Sequence, residues 1–465
     1  MAAIFAFTAC PRLTHYLIFE APSDSSMINL KLSGPTVVRR IASALTLFCF
    51  LSIAVCALCA KRHAAPKPPP SAEVLSQIHV LDNRPAPFAL DARSAILVAA
   101  HTGTVLYAYN EHMRIQPASL AKIMTFYLTL EALRQGKIQP DTPILVSEAA
   151  WRLSIDKTVS KMFLEVGQKV AVHDLLLGLM VSSGNDAALT LAEYLGGSTE
   201  GFVAQMNDEC QKLGLNETHF SSPDGLPEPD QYTTAADMAK LAQIVIDRFP
   251  EALTYTATKE FTFHNITQRN WNTLLFYDSR VNGLKTGHVE EAGFHLVATA
   301  HSSGIDLISA LMGAPNAEKR RTETEKLLDW GFRSFVTVTP QWHDAVPHEL
   351  RVYEGSARTV TIAPAHPPEI TVAKGEERLI KLNGSINTAY LIAPAAKGTA
   401  VGALTMSKGD KAVSTVPIET QAEVERGGWF HVMADRIRLL FGGLGHILTA
   451  PLRWLASLVH WPRRS

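Results

Sequence analysis

Ser119 and Lys122 stand three residues apart in Pro117-Ala118-Ser119-Leu120-Ala121-Lys122, and an apolar run, Ile123 to Leu128, follows directly. A serine hydroxyl is a poor nucleophile until a base takes its proton. On a helix, residues three apart share a face one turn from each other. A lysine can be that base when desolvation or a neighbouring cation lowers its pKa. Ser183 and Asn185 form a second pair in Ser182-Ser183-Gly184-Asn185-Asp186, between helical runs Val172–Val181 and Ala187–Tyr194. Gly184 breaks the helix there and lets both side chains point the same way from a loop. The third group is Lys285-Thr286 within Gly283-Leu284-Lys285-Thr286-Gly287-His288, a strand-like run. An ammonium beside a hydroxyl suits a substrate carboxylate, and Gly287 leaves room for substrate backbone along the strand.

Each group is weak alone. Ser154-Ile155-Asp156-Lys157 repeats the first spacing in a polar stretch and reads as solvated surface; Ser385-Ile386-Asn387 repeats the second in a β-rich region. Asn185 would also serve as a helix N-cap, and Lys285 as a solvated lysine on an edge strand. Order and context carry the weight: a helix start, a loop and a strand, each the element its chemistry demands.

The elements that must position them follow from the hydropathy pattern. Ser94–Ala100 and Thr104–Tyr109 read as strands of a hairpin around His101-Thr102-Gly103. A helical zone runs from Pro117 to about Phe249. Gly283–His288, Phe294–Ala300 and Asp306–Met312 read as strands, and Ala317–Phe335 as a helix. Strands at both ends with helices between predict one α+β domain whose sheet is completed late in the chain. Beyond Val336, short runs at Thr359–Ile362, Ile370–Val372, Arg378–Leu382, Tyr390–Ile392, Val401–Met406 and Val413–Ile418 predict a small all-β domain.

Composition narrows the class. Lys+Arg (43) and Asp+Glu (44) nearly cancel over 465 residues, so no global field attracts nucleic acid. Cys210 is the one thiol outside the first 60 residues, which excludes an internal disulfide framework there; it reads as a buried helix-face residue. The histidines lack helical metal-ligand spacing and no Gly-rich phosphate loop is present, so no metal and no cofactor is expected. Arg39-Arg40 followed by the apolar run Ile41–Ala60 predicts export, as a cleaved secretory signal or as an uncleaved signal anchor; Met27 would make a more usual start than Met1. Ala64–Pro70 is a stiff Pro-rich spacer. At the other end, Trp429, Met433, Ile437, Leu440, Leu444, Leu448, Leu452, Leu455 and Val459 trace one helical face beside several arginines. That pattern predicts a membrane-surface anchor in two pieces, broken at Gly442–Gly445 and Pro451; docking on the protein's own core is the other fate of such a helix.

The three groups, in this order, resemble the motif set of penicillin-binding proteins and serine β-lactamases. Met162–Gly167, Val181–Ala188, Thr218–Leu226 and Gly283–Gly293 are more specifically similar to the D-alanyl-D-alanine carboxypeptidases of peptidase family S11. The resemblance implies a transpeptidase-like domain, an antiparallel sheet flanked by helices, over 81–336. A small all-β domain would cover 337–422 and an amphipathic anchoring tail 423–465, after a leader (1–60) and a spacer (61–80). It implies Ser119 as acyl-ester nucleophile, Lys122 as its base and Ser183 in the proton path, with Asn185 beside it. Lys285 and Thr286 would hold the substrate's terminal carboxylate, and the backbone N–H groups of Ser119 and His288 would form the oxyanion hole. The expected substrates are peptidoglycan stem peptides, with penicillins as covalent inhibitors. The expected location is the periplasmic face of the bacterial inner membrane. A β-lactamase, a cross-link endopeptidase and a non-catalytic wall-binding protein are the competing readings. Lys161 and Val289 depart from the family pattern, which bears on substrate preference.

Overall fold

The structure, a computed structural model, describes residues 78–83 and 88–439. The expected leader, most of the spacer and the tail from residue 440 lie outside the described residues. Strands β1 (Ile78–Val80), β2 (Ser94–Ala99) and β3 (Thr104–Tyr109) open the chain, so the first strand falls at the end of the stretch read as spacer. One short pair, β4 (Pro143–Leu145) with β5 (Lys169–Ala171), interrupts the expected helical zone, and a second, β6 (Glu260–Phe263) with β7 (Ile266–Arg269), follows it. Strands β8 (Val281–Val289), β9 (Gly293–Ser302) and β10 (Ile305–Ala314) complete a six-stranded antiparallel sheet in the order β1-β3-β2-β10-β9-β8.

The central strands read as continuous apolar runs because both sheet faces are covered. Side chains alternate along a strand, and the packing obeys this. Ile96, Val98, Ile308 and Ala310 enter one core with helices α1 (Lys122–Arg134), α2 (Glu148–Ile155), α3 (Val172–Met180), α4 (Asn185–Gly196), α5 (Thr199–Leu213) and α6 (Ala235–Arg248). Ala95, Leu97, Leu307 and Leu311 enter a second core, which is closed by the last helix of this region, Ala317–Ser334. That helix starts at an Asn316 side-chain cap and lies flat on the sheet: a Cβ on Gly331 would sit 2.7 Å from Leu307 and 2.8 Å from Leu97. Each fully buried Leu or Ile here contributes about 1.5–3 kcal/mol, so the sheet is a rigid platform for whatever lies along β8. Between α6 and β8 come two short helices, α7 (Ala252–Thr256) and α8 (Leu274–Tyr277), which makes Ala317–Ser334 α9.

From Phe335 the chain is β-rich. Strands β11 (Phe335–Val338) and β14 (Ile370–Ala373) pair with each other. The strands β12 (Glu349–Tyr353), β13 (Thr359–Pro364), β15 (Ile380–Ile386), β16 (Tyr390–Ile392), β17 (Ala400–Lys408) and β18 (Lys411–Thr420) form a sheet in the order β15-β17-β18-β13-β12-β16. Val352, Ile362, Val372, Leu404, Met406 and Ile418 share its core. Thr102 Oγ1 meets Thr371 Oγ1 at 2.8 Å, and Lys374 Nζ donates to the Phe332 carbonyl at 2.8 Å, which stitch this region to the first. Residues 429–439 are helical; Trp429, Phe430, Met433 and Ile437 are exposed while Val432 is buried. Among the described residues no helix is long and apolar enough to cross a membrane.

Candidate active site

The first motif begins as a tight turn, Ala118–Ala121, that runs straight into α1. Ala118 holds φ +48°, and the chain at Gly225 presses against it so closely that a Cβ there would meet the Ala118 carbonyl oxygen at 1.8 Å. Only glycine tolerates that approach, and it fixes the turn on which Ser119 sits. Lys122 is wholly buried, and its Nζ donates to Ser119 Oγ (2.9 Å), Asn185 Oδ1 (2.5 Å) and the Asp224 carbonyl (2.6 Å). As an ammonium it uses all three protons on these partners. As an amine it keeps two for Asn185 and Asp224 and turns a lone pair to the Ser119 hydroxyl. Burial lowers its pKa to about 8, against the attraction of the Asp224 and Asp186 carboxylates, so the amine is accessible near neutral pH. The arrangement can activate a hydroxyl nucleophile.

The loop of the second motif connects α3 and α4. Gly184 precedes the helix and Asn185 is its first residue, not its cap. Ser183 takes φ +57°, which turns its hydroxyl toward β8; a Cβ on Gly184 would collide with Asp186 at 2.7 Å. Asp186 is buried and accepts from the Met162 and Leu164 N–H groups, from Ser154 Oγ at 2.7 Å and from the Ala187 N–H. Ser154, expected on a solvated surface, is therefore buried and structural, while Lys157 is exposed. The bonds of Asp186 clamp residues 162–164 against the loop and bring Thr158 and Ser160 to the same opening as Ser183.

Strand β8 supplies the third wall. A Cβ on Gly287 would lie 2.9 Å from the Pro117 carbonyl oxygen, so the missing side chain lets the strand abut the Ser119 turn. Behind Pro117, buried His295 accepts the Gly313 N–H on Nδ1 and donates from Nε2 to the Gln116 carbonyl, 3.1 Å away. Burial pushes its pKa down to about 3, so this strut stays neutral. Lys285 Nζ donates to Ser183 Oγ (2.9 Å) and to the Thr286 carbonyl (3.0 Å), and is 1% exposed. Burial first, then Lys122 and Arg320, hold its pKa well below the ordinary lysine range.

A cleft of about 240 Å³ opens between these walls, lined by Ser119, Ser183, Thr286, Gly287, His288 and Arg320, with Trp271 and Phe294. His288 stacks on Phe294 at 3.9 Å between ring centroids. The expected residues thus converge, with a division of labour the sequence did not give. Lys122, Asn185 and Lys285 lie behind the cleft wall, whereas Ser119, Ser183, Thr286 and His288 face it. Lys285, expected to meet a carboxylate itself, is committed to Ser183 and Thr286. The guanidinium of Arg320, 6% exposed on α9 with its pKa lowered by burial to about 10, is the cation that lines the opening. Arg320 carried no signal, since it sits among seven charged residues in Glu318–Lys326; Asp186 and Trp271 likewise belong to no spacing rule. Cys210 is buried on α5 and its thiol is pushed up to about 12, which makes it inert packing. Among the described residues no cluster of His, Cys, Asp and Glu is arranged to hold a metal ion.

This geometry has relatives. The family model of D-alanyl-D-alanine carboxypeptidase, peptidase S11, matches residues 81–316, and that of the penicillin-binding protein 5 C-terminal domain matches 335–426. The D-alanyl-D-alanine carboxypeptidase DacC of Escherichia coli is 38% identical over 355 residues, 76% of this chain and 89% of its own length. DacA of Haemophilus influenzae is 37% identical over 358 residues, 76% of this chain and 91% of its own. The crystal structure of penicillin-binding protein 5 from Haemophilus influenzae superposes with a TM-score of 0.65 at 37% identity, over 73% of this chain and 99% of that one. A transpeptidase-like domain carrying this cleft, followed by an all-β domain, places the chain in the peptidase S11 family of serine D-alanyl-D-alanine carboxypeptidases.

Proposed function

We propose that this chain removes the terminal D-alanine from peptidoglycan stem peptides through an acyl-enzyme on Ser119. Lys122, as a neutral amine, takes the Ser119 proton while Oγ attacks the carbonyl of the penultimate D-alanine. The tetrahedral oxyanion is met by the backbone N–H groups of Ser119 and His288, two residues that line the cleft. The amide C–N bond then breaks, and the leaving amine collects a proton relayed along Ser183, whose hydroxyl is held by Lys285. Asn185 fixes the Lys122 amine. Arg320 and Thr286 hold the terminal carboxylate, and Lys285 supports them from behind. Water then hydrolyses the ester. Penicillins, which pair a strained amide with a carboxylate, enter by the same route.

The observation that carries this reading is the fully buried Lys122 amine 2.9 Å from Ser119 Oγ, with its pKa near 8. The native protein should release D-alanine from an acyl-D-Ala-D-Ala peptide and Ser119→Ala should release none; equal release by both would refute it.

We also infer export and attachment to the periplasmic face of the bacterial inner membrane through the C-terminal tail. The basic-then-apolar leader supports the first. Trp429 (68% exposed) and Phe430 (81%), at the head of the amphipathic pattern, support the second.

A further inference from the structure

Trp271 stands at one end of the catalytic cleft in an unusual posture. Its backbone carbonyl accepts from Arg320 Nη2 at 3.2 Å, and its indole Nε1–H donates to the Ser182 carbonyl at 3.2 Å. The residue therefore reaches from α9 to the loop of the second motif, and its indole bridges two walls of the cleft. It is 54% exposed, so these two bonds, rather than core packing, hold it across the opening. On its far side lies a separate groove of about 470 Å³, lined by Gln268, Arg269, Thr273, Phe276 and Tyr277; Trp271 lines both cavities. The groove is not sealed: Tyr277 is 69% exposed.

The direction of the substrate gives this partition a meaning. Arg320 and Thr286 are where the terminal carboxylate rests on the functional reading above, on which this inference depends. The residue that bears that carboxylate is the leaving residue, and Trp271 lines the same cleft as Arg320 and Thr286, with its indole anchored on the Ser182 carbonyl. On this reading the indole stands beside the side chain of the leaving residue. A methyl group fits within the cleft of about 240 Å³, whereas a longer side chain directed to the Trp271 side would meet the indole. Space for such a side chain exists immediately behind it.

We propose that Trp271 is a specificity-determining residue: its indole limits the leaving residue to one as small as D-alanine by closing the catalytic cleft off from the groove over Phe276 and Tyr277. Size exclusion by a single wall is an effective discriminator, because forcing extra atoms against a packed wall is destabilising, and a methylene in an apolar pocket alone changes kcat/KM by about 10–200-fold. Removing the wall joins the two cavities, and the aromatic groove becomes a binding site for a bulky apolar side chain on the leaving residue.

The test compares kcat/KM for two acyl-peptides, one ending in D-Ala-D-Ala and the other in D-Ala-D-Phe, on the full chain. The native protein should strongly prefer the first. Trp271→Ala should raise the ratio of the second to the first by on the order of 10–100-fold, chiefly through KM for the D-Phe peptide. Trp271→Phe, which keeps a ring in place, should stay near native, and adding Tyr277→Ala to Trp271→Ala should take back part of the gain. An unchanged ratio in Trp271→Ala overturns the proposal, as does an equal rise in Tyr277→Ala alone, where the wall is intact. A merely loosened site would slow both peptides alike and leave the ratio where it was, which also counts against it. Should the alanine variant misfold, Trp271→Leu supplies the same ratio. Failure of the native protein to release D-alanine at all would instead sink the functional reading.

Discussion

The rate of Ser119 acylation should climb with pH through the titration of Lys122. The pKa near 8 arises from burial of the ammonium, opposed first by Asp224 and then by Asp186. The base is the neutral amine, present at about one-tenth at pH 7, half at pH 8 and nine-tenths at pH 9. Acylation should therefore rise about tenfold from pH 6 to pH 7 and level off above pH 9. A solvated lysine would supply roughly 300-fold less free amine at pH 7, so the buried position is what makes the chemistry possible at neutrality. Asp224→Asn removes the largest charge that stabilises the ammonium while keeping the side-chain oxygen that the Leu226 N–H uses at 3.0 Å. Its pH limb should move to lower pH. Stopped-flow acylation by a fluorescent penicillin from pH 6 to 9.5 reads both effects. A flat profile, a rate that falls with rising pH, or a limb displaced to higher pH in Asp224→Asn would refute the reasoning.

Other outcomes follow from the same geometry. Arg320→Ala should lower kcat/KM for a D-Ala-D-Ala peptide by roughly 10–100-fold, the worth of a charged hydrogen bond. The variant should lose its preference for the free acid over the C-terminal amide, which steady-state kinetics with the two peptides would show. Asp186→Ala strips acceptors from the Met162 and Leu164 N–H groups and from Ser154, all buried. We expect a loss of about 3–5 kcal/mol in urea denaturation, as for other broken buried networks; a change under 1 kcal/mol would show that these donors find water instead. A chain ending at residue 428 should keep its D-alanine release yet stay in the supernatant when spun with anionic vesicles that the full chain binds. Equal sedimentation would place the membrane contact elsewhere.

How far these conclusions were legible in the sequence depends on which force set each feature. The central strands were visible because the runs Ser94–Ala99 and Ile305–Ala314 are mostly apolar and buried, and the hairpin at His101-Thr102-Gly103 because Gly103 supplies its positive φ. Ser119, Lys122, Ser183, Asn185, Lys285 and Thr286 were found because their chemistry requires fixed local spacings, and the structure brings all six together. Short elements escaped. The strand Glu349–Tyr353 has five residues with only Leu350 and Val352 buried, and the expected strand at Arg378–Leu382 begins as a 3-10 turn, Glu377–Leu379, before β15. Arg320, Asp186 and Trp271 escaped for another reason. Each acts through a partner far away in the chain, Arg320 on the residue 271 carbonyl and Asp186 on residues 154 to 164, and no local pattern encodes a tertiary contact. The positions of the lysines were readable from their spacings, but not that Lys285 would be sealed behind Ser183.

The convergence of a hydroxyl and a buried amine on one reactive oxygen is tested most directly by mass spectrometry after exposure to penicillin. The account predicts a single adduct of one penicillin, mapped to the peptide containing Ser119, abolished in Ser119→Ala and slowed by on the order of 100-fold or more in Lys122→Ala. An adduct on any other residue, or undiminished labelling of either variant, would contradict it.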